Sequence, residues 1–286
     1  MAFIYEEEPV EPRKLLMAGN WKMNNTISEA VVLAQEISNR YDKKTWGKDV
    51  DVLVCTPSVD LKPVLTVFDF DHTKVEVGAQ NVHWEESGAY TGEISVRMIR
   101  EIGCSCSIVG HSERRGMFGE TNEDVNRKVK ALLAKDLYAV VCVGESLAVR
   151  EVGETEEYVC AQVRAAFAGV EPKDAESCVV AYEPIWAIGT GRTATPEAAE
   201  EVCAAIRATL AELFGQKVAD QMRVLYGGSM NVGNVKPLLA QPDIDGGLVG
   251  GASLEAKSFV DLIDAAVEQA AADAASREPA DDVSSR

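Results

Sequence analysis

Histidine is scarce in this chain. His72, His83 and His111 are the whole complement of 286 residues, and each stands in a different context. That leaves no convergent set of imidazoles for a zinc site, so no metal is expected. Cysteine is present but carries no pattern. The seven, at 55, 104, 106, 142, 160, 178 and 203, are odd in number, lack a CxxC pair and fall mostly in apolar runs. They read as buried, reduced thiols of a cytosolic protein. No segment is apolar for long enough to span a membrane. The first residues, Met-Ala-Phe-Ile-Tyr-Glu-Glu-Glu, lack the basic stretch and apolar core of a signal peptide. Positive charge is also short. There are 28 Lys and Arg against 46 Asp and Glu, a net −18, which argues against a nucleic-acid partner. Nucleotide fingerprints are missing: Gly189-x-Gly191 has no third glycine, and no GxxxxGK followed by Ser or Thr occurs. The expectation is a soluble, cytoplasmic protein with neither nucleic acid nor membrane among its partners.

Part of the negative charge lies at the ends. Residues 1–13 carry −3 and residues 273–286 carry −2, which leaves −13 on the body. Any anion site on such a body must be locally positive. The ends read as a flexible acidic N-terminal extension (1–13) and a flexible C-terminal tail (273–286). Between them no linker divides residues 14–272, which are expected to form one domain.

What the body does have is a regular alternation. Short apolar runs suited to strands recur at about 14–20, 51–56, 74–80, 106–110, 138–143, 178–183, 222–226 and 245–250. Amphipathic segments fall between them. In 196–213, Thr195 can cap, Pro196 suits the first turn, and Val202, Ile206, Leu210 and Leu213 repeat at helical spacing. Thr121-Asn122-Glu123-Asp124 has a capping-box pattern, with Val125, Val129, Leu132 and Leu133 on one face behind it. Eight strand–helix units over about 260 residues match a closed α/β (β/α)8 TIM barrel. A doubly wound open sheet is the other solution, and periodicity alone does not choose between them.

One stretch stands out, residues 182–191, Tyr-Glu-Pro-Ile-Trp-Ala-Ile-Gly-Thr-Gly. Glu183 sits where a buried strand ends, and Pro184 disfavours helical geometry there. The loop that follows is apolar and nearly uncharged, whereas loops normally face water. A carboxylate under a lid that excludes water suits proton abstraction from carbon. Desolvation under the closed lid should raise its basicity. Taken alone, Glu183 could equally cap a helix or pair with an arginine.

Other strand ends carry Gly19-Asn20-Trp21-Lys22, Gly110-His111-Ser112-Glu113-Arg114-Arg115, Tyr226-Gly227-Gly228-Ser229 and Gly250-Gly251-Ala252-Ser253. In a barrel these ends share the face where active sites form. With the Glu183-Pro184-Ile185-Trp186 segment they make five motifs in order. Together they closely resemble the triosephosphate isomerase family, from about Lys14 to the last helix. The resemblance implies interconversion of dihydroxyacetone phosphate and glyceraldehyde 3-phosphate, in glycolysis and gluconeogenesis, with no cofactor. It implies Glu183 as the base and His111 as a neutral imidazole that polarises the carbonyl, as the isomerase is commonly described. Lys22 would supply the positive charge for phosphate and oxyanion. Asn20 lies beside the substrate, and Glu113 is a supporting residue near Lys22 and His111. Backbone groups at Gly189, Ser229, Gly250 and Gly251 would hold the phosphate, aided by a helix beginning near Ser253. The loop 79–93 would insert into a second copy and place Thr91 against its site, which implies a homodimer. Two other readings of the residues stay open here: another phosphate-binding barrel enzyme, such as a Schiff-base aldolase, and a binding protein on an enzyme scaffold.

Overall fold

The computed structural model describes residues 13–187 and 193–277. Eight parallel strands close on themselves in sequence order. They are β1 (Leu15–Asn20), β2 (Val50–Thr56), β3 (Val75–Ala79), β4 (Cys106–Val109), β5 (Tyr138–Val143), β6 (Val179–Tyr182), β7 (Arg223–Tyr226) and β8 (Gly246–Val249). Around them run α1 (Ile27–Ser38), α2 (Leu61–Phe70), α3 (Val96–Ile102), α4 (Ser112–Phe118), α5 (Asn122–Leu133), α6 (Leu147–Glu151), α7 (Thr155–Ala166), α8 (Pro172–Ala175), α9 (Pro196–Phe214), α10 (Gln216–Ala219), α11 (Val235–Leu239) and α12 (Ala256–Arg277). The fold is a TIM barrel. The open sheet is ruled out by one pairing: β1 lies beside β8 with Leu16 opposite Gly246 and Met17 opposite Gly247.

The strands read as unbroken apolar runs because both of their faces are buried. Leu16, Ala18, Leu53, Cys55, Cys106, Ile108, Val140, Cys142, Val179 and Ala181 fill the barrel interior. Their neighbours Met17, Val52, Val54, Val109, Val141, Val180 and Tyr182 pack under the helices. This alternation also aims the chemistry. After Leu16 and Ala18 the next inward position of β1 is Asn20, and after Val179 and Ala181 the next of β6 is Glu183.

The helices start where the caps predict. Thr121 accepts from the Asp124 amide at 3.1 Å, and the Asp124 carboxylate accepts from the Thr121 amide at 2.9 Å. Thr195 caps α9 through the Ala198 amide at 3.2 Å. All seven cysteines are buried and none is in a disulfide.

Candidate active site

The C-terminal ends of the strands open into a cavity of about 450 Å³. Asn20, Lys22, His111, Glu183, Ser229, Gly250 and Gly251, all singled out by sequence, line this one space. Glu113 borders an adjoining cavity of about 400 Å³ that shares Asn20, Lys22 and His111. Thr91 lies on the exposed loop after β3 and not in the main cavity. Gly189 lies outside the described residues, as does the rest of the lid beyond Ala187.

Lys22 follows β1 in an unusual backbone conformation, with φ of 53°. A left-handed lysine costs on the order of 1–3 kcal/mol and persists only when its surroundings hold it. Two side-chain amides do so. Asn20 Oδ1 accepts from the Lys22 amide at 3.0 Å, and Gln80 Nε2 donates to the Lys22 carbonyl at 2.9 Å. Gln80 also donates to the Cys55 carbonyl at 2.9 Å, which ties the turn to β2. The Lys22 ammonium meets Glu113 Oε1 at 2.7 Å. Both side chains are partly open to solvent, so the pair itself adds little stability. Its effect is to orient a cation in a body of net negative charge.

His111 precedes α4 and is buried. The Glu113 amide donates to its Nδ1 at 3.2 Å. A backbone N–H can only donate, so this contact assigns the neutral tautomer with the proton on Nε2. Nε2 in turn lies 3.0 Å from Glu183 Oε1.

Glu183 is held on every side. Its amide donates to the Val143 carbonyl at 2.7 Å, and the Gly227 amide donates to the Tyr182 carbonyl at 2.6 Å. Two glycines make room for it. A methyl group at Gly144 would overlap the Glu183 carbonyl oxygen. One at Gly227 would stand 3.0 Å from Glu183 Cγ. Below the carboxylate, burial pushes the Cys142 thiol well up and the charge of Glu183 pushes it further, so the seat is uncharged.

The carboxylate also accepts from the Ser112 amide at 2.9 Å and the Ser112 hydroxyl at 3.0 Å. Burial pushes the Glu183 carboxyl up, but His111, through its hydrogen bond and its charge when protonated, and the two Ser112 hydrogen bonds outweigh it and hold it below the usual carboxylate range. The strengthening by desolvation expected for this base belongs to the closed lid, whose residues 188–192 lie outside the described ones. In this arrangement the donors win, because each favours the charged form directly.

Sequence reasoning missed Ser112, Gln80 and the anchor of the lid. Trp186 lies in a short 3-10 turn, Ile185–Ala187. Its indole N–H donates to Glu145 Oε1 at 2.8 Å, and Tyr182 OH donates to the same oxygen at 3.1 Å. The Arg150 guanidinium lies 4.5 Å above the Trp186 ring. Glu145 is fully buried. Polar residues in a turn carry no sequence mark of such distant partners, although Ser112 and Glu145 both sit within three residues of a strand end.

At the opposite rim, Gly251 opens a 3-10 turn (Gly251–Leu254), and α12 begins at Ala256. The helix start expected near Ser253 is therefore this short turn. The Ser253 hydroxyl donates inward, within reach of the Val249 and Gly250 carbonyls. A Cβ at Gly251 would meet nothing within 4 Å, and one at Gly250 only Lys22 Cε at 3.6 Å. The backbone is thus bare toward the cavity beside the lysine, a setting suited to an anion. Among the described residues no three His, Cys, Asp or Glu side chains are grouped to hold a metal ion.

Comparison with known proteins agrees with this geometry. The family model described as triosephosphate isomerase matches residues 15–266. The triosephosphate isomerase of Streptococcus pyogenes serotype M2 is 48% identical over 252 residues, covering 88% of this chain and 98% of that protein. That of Acetivibrio thermocellus is 50% identical over 247 residues, covering 86% and 96%. That of Caldanaerobacter subterraneus is 49% identical over 251 residues, covering 88% and 99%. The match runs from the first strand into the last helix and takes in every strand end that lines the cavity, so the chain belongs to the triosephosphate isomerase family.

Proposed function

We propose that Glu183, His111 and Lys22 carry out the family's reaction in this chain, the isomerisation of glyceraldehyde 3-phosphate and dihydroxyacetone phosphate. The observation that carries the assignment is their convergence on one cavity, with His111 Nε2 and Glu183 Oε1 3.0 Å apart. The carboxylate removes a proton from the carbon beside the carbonyl. The electron pair moves onto the carbonyl oxygen and gives an enediolate; the neighbouring hydroxyl gives its proton to that oxygen and becomes the new carbonyl as the first proton returns to the adjacent carbon. The His111 Nε2–H donates to the oxygen that gains charge, and Lys22 stabilises the same charge from the other side. Asn20 contacts the substrate beside Lys22. Phosphate is held by backbone N–H groups at Gly189, Ser229, Gly250 and Gly251. Glu113 keeps Lys22 in place. Substrate must take over the donors now spent on Glu183, after which the lid's dry cover restores its strength as a base.

A coupled assay tests this reading. Glyceraldehyde 3-phosphate is supplied, and the dihydroxyacetone phosphate formed is reduced by an excess of glycerol-phosphate dehydrogenase with loss of NADH absorbance. Turnover by the purified chain is expected, and its absence would sink the assignment.

Ser112 gives a test of the electrostatics. Ser112→Ala removes one of the donors that lower Glu183. The base works as a carboxylate, so activity is lost as pH falls through its pKa. The acidic limb of the kcat/KM profile should therefore move to higher pH in the variant. A limb that stays in place contradicts the hydrogen-bond account.

The working unit is proposed to be a homodimer in the cytoplasm, with residues 14–272 as the catalytic domain. The adjoining 400 Å³ cavity is lined by Met23 and Phe118, which are 94% and 69% exposed. Exposed apolar side chains around a cavity mark an association site. Residues 85–93 are exposed as well, Thr91 among them. A second copy of that loop fits the cavity and sets Thr91 beside Asn20 and Lys22. Within the loop His83 stacks between Trp84 and Tyr90, with ring centres 4.3 and 4.2 Å away. Light scattering should give twice the 30.8 kDa chain mass. Thr91→Arg should shift the protein toward monomer and lower kcat at least tenfold. A monomeric wild type with full activity rules the dimer out. Among the described residues no helix is long and apolar enough to cross a membrane.

A further inference from the structure

We propose that Gln162, on the outer helix α7, is a positioning residue for Glu183 and for the root of the lid. Gln162 is 5% exposed, and its Oε1 accepts from the Gly144 amide at 2.8 Å in a buried setting. Because an amide N–H only donates, it fixes which end of the Gln162 side chain faces it.

Gly144 is the middle of three residues that hold the site from behind. Before it, the Val143 carbonyl accepts from the Glu183 amide at 2.7 Å. After it, Glu145 Oε1 accepts from Trp186 at 2.8 Å and from Tyr182 at 3.1 Å. Gly144 itself runs so close to Glu183 that it has no room for a side chain. Any shift of this tripeptide passes directly to the base and to Trp186. Gln162 ties its central amide to a helix that packs on α9 and α5 and takes no part in the chemistry. Without that acceptor the buried N–H is unpaired, which is unfavourable enough to turn the peptide or admit water. Reactive geometry is sensitive to displacements on the order of 1 Å.

The expected result for Gln162→Leu is a kcat lowered about tenfold or more, with KM for glyceraldehyde 3-phosphate within about twofold. More of the substrate should be lost to phosphate elimination, because the lid root is loosened. Gln162→Glu keeps an oxygen acceptor at the same reach. It should retain kcat within about threefold, which separates the hydrogen bond from simple packing of the helix. A folded Leu variant with wild-type kcat overturns the proposal, and so does a Glu variant as impaired as the Leu variant. Where circular dichroism shows the Leu variant unfolded, Gln162→Asn decides. Its oxygen falls short by one methylene, so kcat should drop at constant KM, and an unchanged kcat overturns the proposal. The inference rests on Glu183 being the base. That reading fails if Glu183→Asp turns over normally; the inference alone fails if Glu183→Asp is impaired and the Gln162 variants are not.

Discussion

Glu183→Asp lowers kcat about 10²-fold or more and leaves KM within a few-fold. The substitution keeps the charge and withdraws the carboxylate by one carbon, and misplacement on the order of 1 Å typically costs that much. The backbone cannot follow to close the gap. It is pinned by the Val143 carbonyl on one side and pressed against Gly144 and Gly227 on the other. The shortened side chain also withdraws from the Ser112 and His111 donors that now hold its oxygens. The loss therefore falls on the chemical step, equivalent to about 2.7 kcal/mol of barrier. Steady-state kinetics in both directions measure it. Turnover near the wild-type rate in a folded Asp variant would show that another group is the base.

Lys22→Met is the second large effect, with kcat/KM reduced about 10²–10³-fold. Methionine keeps much of the stem's bulk and removes only the cation. The body carries an excess of negative charge, and Glu113 lies 2.7 Å from the ammonium. Without Lys22 that carboxylate faces the substrate phosphate unopposed, so both KM and kcat should worsen. The double variant Lys22→Met with Glu113→Gln separates the two contributions. Part of the KM loss should return when the acid is neutralised, while kcat stays low. Full recovery of kcat in the double variant would mean that Lys22 merely masks Glu113.

Much of this was open to inspection in the primary structure. The eight apolar runs match the eight strands to within a residue or two, because strands buried on both faces must be apolar throughout. The starts of α5 and α9 were legible because a cap is a local contract between a side chain and an amide three residues away. The candidate residues at strand ends were legible for a similar reason. Short motifs directly follow strands, and the alternation of a strand fixes which residue points into the mouth.

The rest depends on contacts between residues far apart in the chain. Ser112 reaches Glu183 across 71 positions, Gln80 reaches Lys22 across 58, and Trp186 reaches Glu145 across 41. Neither local propensity nor spacing encodes such pairings. Barrel closure is of the same kind, since the β1–β8 pairing joins opposite ends of the chain. The environment of the base is of the same kind: desolvation can be read from an apolar loop, but the donors that oppose it come from His111 and Ser112, after β4.

By itself, then, the amino-acid sequence determined the strand–helix alternation, the caps and the identity of the chemical groups, because these follow from neighbours within a few residues. Only the tertiary structure decided that the sheet closes, that Lys22, His111 and Glu183 face one another, and that Glu183 is held in check by Ser112. Those outcomes are set by distances between backbone segments that meet only when the barrel forms.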